Sequence, residues 1–411
     1  MATSTANSQP IASTAESGRS LEGYRNILYV LHHDFTANSA AQVHALANHL
    51  IQLGHCCAVA VPQNKATVSS LGSARFVPLD FSELEAIPSC FRNGRPPDIV
   101  HAWTPRESVR VFAEAVRERY PSCRLFVHLE DNEWHILERF TGRSLRSLKE
   151  LSTEELDRVV PPNCSHPERA VFFMSQATGI TVIIDRLREL APEGVPAIEI
   201  WPSAPEDLFF PRPRRPEDRR HFGIPRSNTV LVYTGNIHVA NAHEMRSLYL
   251  AVAILNREGH PATLVRAGRD FCRFLGPDES WARAHSVELG QVDHHDIPAV
   301  LALADVLVQP GRPDPFNDYR FPSKIPEFLS VGRPVILPRA NVGLHMRHRE
   351  DAWLLDDANG LAIADAVRCI MADPPLYARL AEGAIRFFGE RLSWAKSAQK
   401  LSSFYGSQLS I

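Results

Sequence analysis

The stretch Phe321–Pro334 has the sequence FPSKIPEFLSVGRP, and it determines the local fold of the region around it. Pro322 ends an extended segment, because a proline disfavours helical geometry in the residue before it. Ser323 is a favourable N-cap, and Pro326 is compatible with the first turn of a helix. Gly332–Pro334 ends that helix, and the apolar residues that follow indicate a buried strand. The stretch therefore predicts a capped helix that leads into a sheet.

Two charged residues near the start of this helix suggest a binding function. The free N–H groups and the positive dipole end of a helix N-terminus suit a diphosphate. Lys324 adds a charged donor there, and Glu327 lies on the same face, because residues three apart are neighbours on a helix. A carboxylate at Glu327 could accept hydrogen bonds from a ribose diol. The residues alone leave a second interpretation open, an ordinary capped helix with a Lys–Glu surface pair.

Working outward, the first half of the chain alternates short apolar runs with helical periodicity, which is typical of a parallel sheet with helical crossovers. The predicted strands are Asn26–His33, Cys56–Val61, Arg75–Leu79, Asp98–Trp103, Arg124–Leu129 and Ala197–Trp201. The predicted helices include Gln42–Leu53, Glu107–Tyr120 and one around Val182–Leu190.

The second half restarts the same alternation after a segment rich in proline and arginine, which is typical of a linker. Its predicted strands are Thr229–Tyr233, Ala262–Ala267, Val287–Leu289 and Val306–Gln309. We therefore divide the chain into a disordered tail (1–23), an acceptor-side Rossmann-like domain (24–204), a linker (205–227), a donor-side Rossmann-like domain (228–390) and a terminal helix that packs back on the first domain (391–411).

Composition narrows the class of protein. Of 411 residues, 44% are hydrophobic and 22% are charged, and the formal net charge is −3, so no basic field would attract nucleic acid. No apolar run approaches the ~20 residues that span a bilayer, although peripheral membrane contact stays open. The seven cysteines are scattered without a CxxC pair, and the N-terminus lacks a secretory signal pattern, which predicts a cytoplasmic, reducing location.

The opening stretch and its flanks resemble the donor-binding motif of glycosyltransferase family 4, the retaining enzymes of the GT-B fold. Gly290–Pro310 (GQVDHHDIPAVLALADVLVQP) is similar to the segment before that motif, and Pro202–Pro211 (PSAPEDLFFP) is similar to the end of the family's first domain. The resemblance covers roughly residues 24–411 and is most specific in the C-terminal half. It implies an α/β architecture of two doubly wound Rossmann-like domains that face each other across a cleft.

The resemblance implies a retaining glycosyltransferase that transfers a hexose-type sugar from a nucleotide diphosphate sugar, with UDP or GDP favoured, to an unidentified acceptor. It implies no metal and no further cofactor. The neighbours His294 and His295 do not argue for a metal, because adjacent histidines in a strand or turn point apart. A second hypothesis is a GT-B-like protein that binds a sugar nucleotide or a partner without catalysis. We find no residue set that calls for epimerisation or phosphorolysis.

On the donor side, the resemblance assigns Glu327 to the ribose and Lys324 to the diphosphate, with both counted as catalytic. Tyr319 stands where the family has its first glutamate, next to Asp318. The glycine-led loop lacks the arginine and lysine that the family often carries, so we expect the positive charge to come from Lys324, Arg266 or Arg269. The full set of expected donor residues is Gly235, Asn236, Arg266, Arg269, Val292, Asp318, Tyr319, Ser323, Lys324 and Glu327.

On the acceptor side, His128 approximately matches the family histidine near the reaction centre. It precedes an acidic cluster at the end of an apolar strand, where Glu130 and Asp131 are candidates for acceptor binding. The small residues Ser39 and Ala40 replace the family's glycine pair, and they still allow a ligand to approach the backbone. His101 occupies a similar strand position, so we include it among the candidate acceptor contacts.

Overall fold

The computed structural model describes residues 24–357 and 359–410 of the protein. The predicted disordered tail, residues 1–23, lies outside the described residues. Two parallel sheets organise the rest, one in each half of the chain, as expected for two Rossmann-like domains. The predicted architecture of two Rossmann-like domains is confirmed by these sheets.

The N-terminal sheet has seven parallel strands in the order β3-β2-β1-β4-β5-β6-β7. They are β1 (Asn26–Val30), β2 (Cys56–Val61), β3 (Val77–Asp80), β4 (Ile99–Trp103), β5 (Arg124–Leu129), β6 (Gly179–Val182) and β7 (Ala197–Glu199). The α-helices of this half are α1 (Asn38–Gln52), α2 (Glu107–Arg119), α3 (Glu133–Thr141), α4 (Leu145–Leu148), α5 (Thr153–Val159) and α6 (Pro167–Ser175). Every residue of β1 and β4 is buried, because helices cover both faces of the sheet.

The C-terminal sheet has six parallel strands in the order β10-β9-β8-β11-β12-β13. They are β8 (Thr229–Thr234), β9 (Ala262–Ala267), β10 (Ser286–Gly290), β11 (Val306–Val308), β12 (Val335–Pro338) and β13 (Trp353–Leu355). The remaining α-helices are α7 (Pro216–His221), α8 (Ala242–Arg257), α9 (Ile297–Ala302), α10 (Lys324–Ser330), α11 (Gly360–Ala372), α12 (Pro374–Arg391) and α13 (Trp394–Leu409). None of the helices in the described ranges is long and apolar enough to cross a membrane.

One predicted helix is wrong. The segment expected as a helix around Val182–Leu190 is strand β6 followed by a short 3₁₀ segment, Asp185–Leu190. The sequence of β6 ends in the β-branched run Ile180–Val182, which favours a strand. The helical periodicity that follows is too short for more than one or two 3₁₀ turns.

The linker region is attached to the C-terminal domain by arginine contacts. Arg214 and Arg219 both form ion pairs with Asp305, which is buried at the start of the β11 region. Arg333 donates a hydrogen bond to the backbone oxygen of Arg212 at 2.8 Å. The basic run that the sequence shows between the domains is therefore partly used for structure.

The last helix, α13, packs against the N-terminal sheet. The hydroxyl of Tyr405 is 2.6 Å from Nδ1 of the buried His101 on β4, and the Tyr405 ring meets Phe126 of β5 edge-on. Phe404 lies so close to β6 that a Cβ on Gly179 would be 2.6 Å from its ring. Only a glycine at that position allows this approach. The C-terminus of the chain thereby closes the core of the first domain.

We expect Tyr405→Phe to lower the free energy of unfolding by about 1–3 kcal/mol, because His101 Nδ1 would lose its partner in a water-free position. Thermal and urea unfolding measure this change. Tyr24→Phe is the matched control, since the Tyr24 hydroxyl bonds Cys56 Sγ at a partly exposed position. An equal loss in both variants would contradict a special role for the Tyr405 hydroxyl.

Candidate active site

The donor-side residues converge where β8 ends and α10 begins. Nζ of Lys324, the first residue of α10, lies 4.9 Å from the centre of the Tyr233 ring on β8. Gly235 follows β8 with a φ of +144°, and a Cβ there would be 2.9 Å from Cε of Lys324. The absence of a side chain at Gly235 is what allows Lys324 to lie across the strand end.

Hydrogen bonds fix the shape of the loop after β8, residues 235–241. Oδ1 of Asn236 accepts a hydrogen bond from the backbone N–H of Arg269 at 2.9 Å, and Nδ2 of Asn241 donates to the Asn236 carbonyl at 2.9 Å. Asn236 therefore links this loop to the loop after β9. Arg269 is exposed, and within residues 24–357 and 359–410 its guanidinium has no hydrogen bond or ion pair that would hold it towards this loop.

Arg266 does not fit its predicted role as a diphosphate ligand. It is 3% exposed, and its guanidinium forms ion pairs with Glu288 and Asp270, both at 2.7 Å. Two carboxylates of the same domain thus neutralise its charge before any ligand arrives. The prediction was wrong because it rested on sequence position, whereas strand β9 directs this side chain towards β10.

Glu327 lies one turn along α10 from Lys324, as predicted, and is in contact with His294. The two side chains are joined by a 2.9 Å hydrogen bond between Glu327 Oε1 and His294 Nε2. This bond to the carboxylate raises the pKa of His294. Val292, in the loop after β10, is partly buried against the core nearby. His294 is therefore hydrogen-bonded to a carboxylate. No cluster of metal-ligating side chains occurs in the part of the chain that the structure describes.

Ser323 does not cap α10. Its backbone is already helical, with φ −56° and ψ −25°, and its side chain makes no capping bond. The carbonyl of Pro322 accepts the N–H of Ile325 at 3.0 Å, so a tight turn leads directly into the helix. The predicted N-cap was wrong because Pro322 starts the turn one residue earlier than the capping pattern assumes.

Tyr319 bridges the two halves of the chain. Its hydroxyl donates a 2.8 Å hydrogen bond to Oε2 of Glu189, and the guanidinium of Arg186 lies 5.4 Å from its ring centre. Both partners belong to the 3₁₀ segment after β6. Beside it, burial and Asp314 raise the pKa of Asp318. Tyr319 therefore contacts the opposite domain at the position where the family's glutamate was expected.

The acceptor-side residues Ser39, Ala40, Glu130 and Asp131 lie at the carboxyl edge of the N-terminal sheet. Ser39 Oγ donates to Glu130 Oε1 at 2.6 Å, and Trp103 Nε1 donates to Glu130 Oε2 at 3.1 Å. Ala40 is buried beside Ser39 at the start of α1. Burial raises the pKa of Glu130, and burial with the neighbouring carboxylates Glu130 and Glu133 raises that of Asp131. The Asp131 side chain remains 35% exposed, so it is available to a ligand.

An ion pair that the sequence analysis missed holds this acidic edge together. Arg106 Nε is 3.1 Å from Glu133 Oε2, and the side chains are only 10% and 2% exposed. Ser165 Oγ donates a further 2.8 Å bond to the same carboxylate oxygen. Arg106 follows β4 closely in the sequence, and that strand-end position is the one signal by which it could have been found.

The two candidate histidines are both buried. His101 has no exposed surface and is bonded to Tyr405 and, at 3.0 Å, to Thr181, so its predicted contact with an acceptor is wrong. His128 stacks on Trp103 at 3.8 Å and bonds Thr181 through Nδ1 at 2.8 Å. Burial keeps the pKa of His128 well below its usual value, so the ring is neutral. A role beside the donor sugar stays a prediction.

Comparisons with known proteins identify the type of domain that carries Lys324 and Glu327. Residues 228–373 match the family model described as Glycosyl transferases group 1. Alpha-D-kanosaminyltransferase from Streptomyces kanamyceticus is 23% identical over 64% of this chain and 68% of its own length. A GDP-mannose-dependent alpha-(1-6)-phosphatidylinositol dimannoside mannosyltransferase from Mycobacterium tuberculosis is 28% identical over 48% of this chain, and the match spans 49% of that protein. These matches support a group 1 glycosyltransferase.

Solved glycosyltransferase structures share the fold of this chain. Anabaena Alr3699/HepE in complex with UDP aligns with a TM-score of 0.66 and 15% identity over 93% of this chain and all (100%) of that one. Sucrose-phosphate synthase from Thermosynechococcus elongatus aligns with a TM-score of 0.63 and 13% identity over 94% of this chain and 99% of that one. At these identities the likeness establishes the GT-B fold alone.

We expect Arg106→Met to destabilise the N-terminal domain by about 3–5 kcal/mol, because Glu133 would be left as a buried, unpaired carboxylate. Urea unfolding measures the loss. The double variant Arg106→Met/Glu133→Leu should recover part of it, since Glu133 is then no longer stranded, whereas Asp131, 4.0 Å from Arg106, still loses its cation. Arg119→Met breaks the exposed pair with Glu85, whose side chains are 56% and 74% exposed, and should cost less than about 1 kcal/mol. A similar cost for both single variants would contradict this account.

Proposed function

We propose that the protein is a retaining glycosyltransferase that transfers a hexose-type sugar from a UDP- or GDP-sugar to a hydroxyl-bearing acceptor. The observation that carries the proposal is the arrangement around Lys324. A lysine lies across the end of β8, held open by Gly235, and Glu327 stands one turn farther along α10. A cation and a carboxylate at this spacing suit the diphosphate and the ribose of one nucleotide.

In this proposal, Lys324 stabilises the negative charge that develops on the leaving diphosphate. Glu327 accepts hydrogen bonds from the ribose hydroxyls through Oε2, while Oε1 remains bonded to His294. Stabilising a departing charge with a preorganised cation is an effective form of catalysis, because the group needs no reorganisation during the reaction. The protein otherwise contributes by holding the two substrates in position.

The acidic edge of the N-terminal domain supplies the acceptor side. Asp131 has an exposed carboxyl whose pKa is raised, and Glu130 behind it is fixed by Ser39. Hydrogen bonds that the acceptor hydroxyls donate to these carboxylates would orient the attacking oxygen. With retention of configuration, the leaving diphosphate takes the acceptor proton, so no strong protein base is needed. The neutral ring of His128 is consistent with such a site.

The relatives support the choice of donor. One is named as GDP-mannose-dependent, and Alr3699/HepE was solved with UDP and with UDP-glucose. Both printed donors are hexose nucleotides, and we extend that class to this chain. A catalytically inactive binding protein, the other hypothesis from the sequence, gains no support from the comparisons.

A thermal-shift screen with UDP-, GDP-, ADP- and TDP-sugars tests the donor class. A ligand at 100 times its Kd adds about 2.7 kcal/mol of stability, which is several degrees in Tm for a domain of this size. We expect a UDP- or GDP-sugar to give the largest shift and the matching monophosphate a smaller one. A folded protein that no sugar nucleotide stabilises would refute the proposed function.

Substitution of the two key side chains tests the site itself. Lys324→Ala and Glu327→Ala should each cost about 2–4 kcal/mol of transition-state stabilisation, a loss of about 30- to 1000-fold in kcat/KM for the donor. The measurement is donor turnover with the sugar nucleotide chosen by the screen. Lys400→Ala and Glu382→Ala are matched controls, because both residues are exposed on helices away from the loop. Near-normal turnover in both site variants would exclude this assignment.

A further inference from the structure

The loop after β8 carries no lysine or arginine, and Arg266, on the neighbouring strand, is neutralised by carboxylates. A diphosphate carries more negative charge than Lys324 alone can offset. A second cation that faces the same loop is therefore worth identifying. Arg320 meets that description, although nothing in the sequence distinguished it from the other arginines.

The guanidinium of Arg320 is held in a fixed position. It lies 4.0 Å from the centre of the Phe316 ring, and its Nε and Nη2 donate to Oδ1 of Asn317 at 3.2 and 2.7 Å. Asn317 is in turn fixed, because its Nδ2 donates to Glu244 on α8 at 3.2 Å and its carbonyl accepts from Asn341 at 2.9 Å. Planar stacking and a forked pair of bonds are the contacts that orient an arginine best.

One donor group of Arg320 is left for a ligand. Within the ranges that the structure describes, the hydrogen bonds of the guanidinium come from Nε and Nη2, and Arg320 forms no ion pair within 4.0 Å. Burial lowers the pKa of Arg320, and the more distant carboxylates of Asp131, Glu244 and Asp314 offset only part of that effect. A desolvated cation without an ion-pair partner is costly unless an anion completes its surroundings.

The position of Arg320 relates it to both Lys324 and the cleft. Asn317 contacts Glu244 in the first turn of α8, and the preceding Asn241 bonds the hydroxyl of Tyr233 at 3.5 Å, the ring on which Lys324 lies. The positive charges of Arg320 and Lys324 both lower the pKa of His238 in the same loop, after the larger effect of burial. On its other side, Phe316 is 6.2 Å from the ring of His135 of the N-terminal domain.

We propose that Arg320 binds the diphosphate of the nucleotide sugar through Nη1 and, with Lys324, provides the positive charge that the loop after β8 lacks. The inference rests on the proposed function, and it specifies which residue completes the site. The loop after β8 has no positively charged side chain, and in this proposal Arg320, from the segment before α10, supplies that charge instead. The stacking on Phe316 and the bonds to Asn317 hold that charge ready before the donor arrives.

Isothermal titration calorimetry with UDP and uridine, and with GDP and guanosine, tests this role on the full chain. Loss of a hydrogen bond to a charged group should weaken binding of the nucleoside diphosphate by about 10- to 100-fold in Arg320→Met, while the nucleoside binds as before. Arg320→Lys keeps a charge and should bind UDP or GDP better than Arg320→Met. Arg283→Met is the matched control, since Arg283 also stacks on a phenylalanine of this domain, Phe274, at 5.0 Å.

The outcomes separate the alternatives. If Arg320 only supports the fold of residues 311–319, Arg320→Met will weaken nucleoside and nucleoside diphosphate equally, and the proposal is overturned. Unchanged diphosphate affinity in Arg320→Met, with reduced affinity in Lys324→Ala, overturns it while the proposed function stands. If wild-type protein binds neither UDP nor GDP, both proposals fail. Should Arg320→Met prove unfolded by circular dichroism, Arg320→Lys and Arg320→Gln carry the same comparison.

Discussion

The close approach of three chain segments at the edge of the C-terminal sheet is the constraint on which the candidate site depends. A Cβ on Gly268 would be 2.2 Å from the carbonyl oxygen of Gly235, and a Cβ on Gly235 would be 2.9 Å from Lys324 Cε. The loops after β8 and β9 and the start of α10 can therefore meet only if both positions are glycine. Their contact places the Lys324 ammonium over the Tyr233 ring.

Charge pairing decides which side chains around that contact can serve a ligand. Arg266, Arg106 and Arg219 are each paired with carboxylates of the protein, so their charges stabilise the domains. Lys324 and Arg320 have no such partners among the described residues, and aromatic rings support both of them instead. A ring faces a cation without neutralising it, and the charge stays available to an anion. The neighbours of each cation therefore indicate its role. Among these residues, a cation beside a carboxylate stabilises the fold, and a cation beside an aromatic ring keeps its charge for a ligand.

The N-terminal domain presents negatively charged side chains on its side of the cleft. Asp131 and Glu130 present carboxylates whose charges are disfavoured by burial, by each other and by Glu133, and the charge of Arg106 offsets only part of that cost. Tyr319 reaches from the C-terminal half to Glu189, so the two halves are connected beside the site by a polar contact. This contact uses Tyr319, the residue that stands where the resemblance had led us to expect a glutamate.

The two sheets, the helix at Lys324 and the placement of Lys324 and Glu327 one turn apart on it could all be predicted from the sequence. Continuous apolar runs such as ILYV and VLV can be stable only when buried, and helical spacing fixes which neighbours share a face. Whether the other candidate residues can contact a ligand depends on their partners in the tertiary structure. Arg266 pairs with Glu288, 22 residues away, and His101 bonds Tyr405, 304 residues away, whereas Arg320, which the sequence did not single out, bonds only the neutral side chain of Asn317 among the described residues. The energy of a charge or a hydrogen bond depends on distances through space, which no local pattern of residues contains.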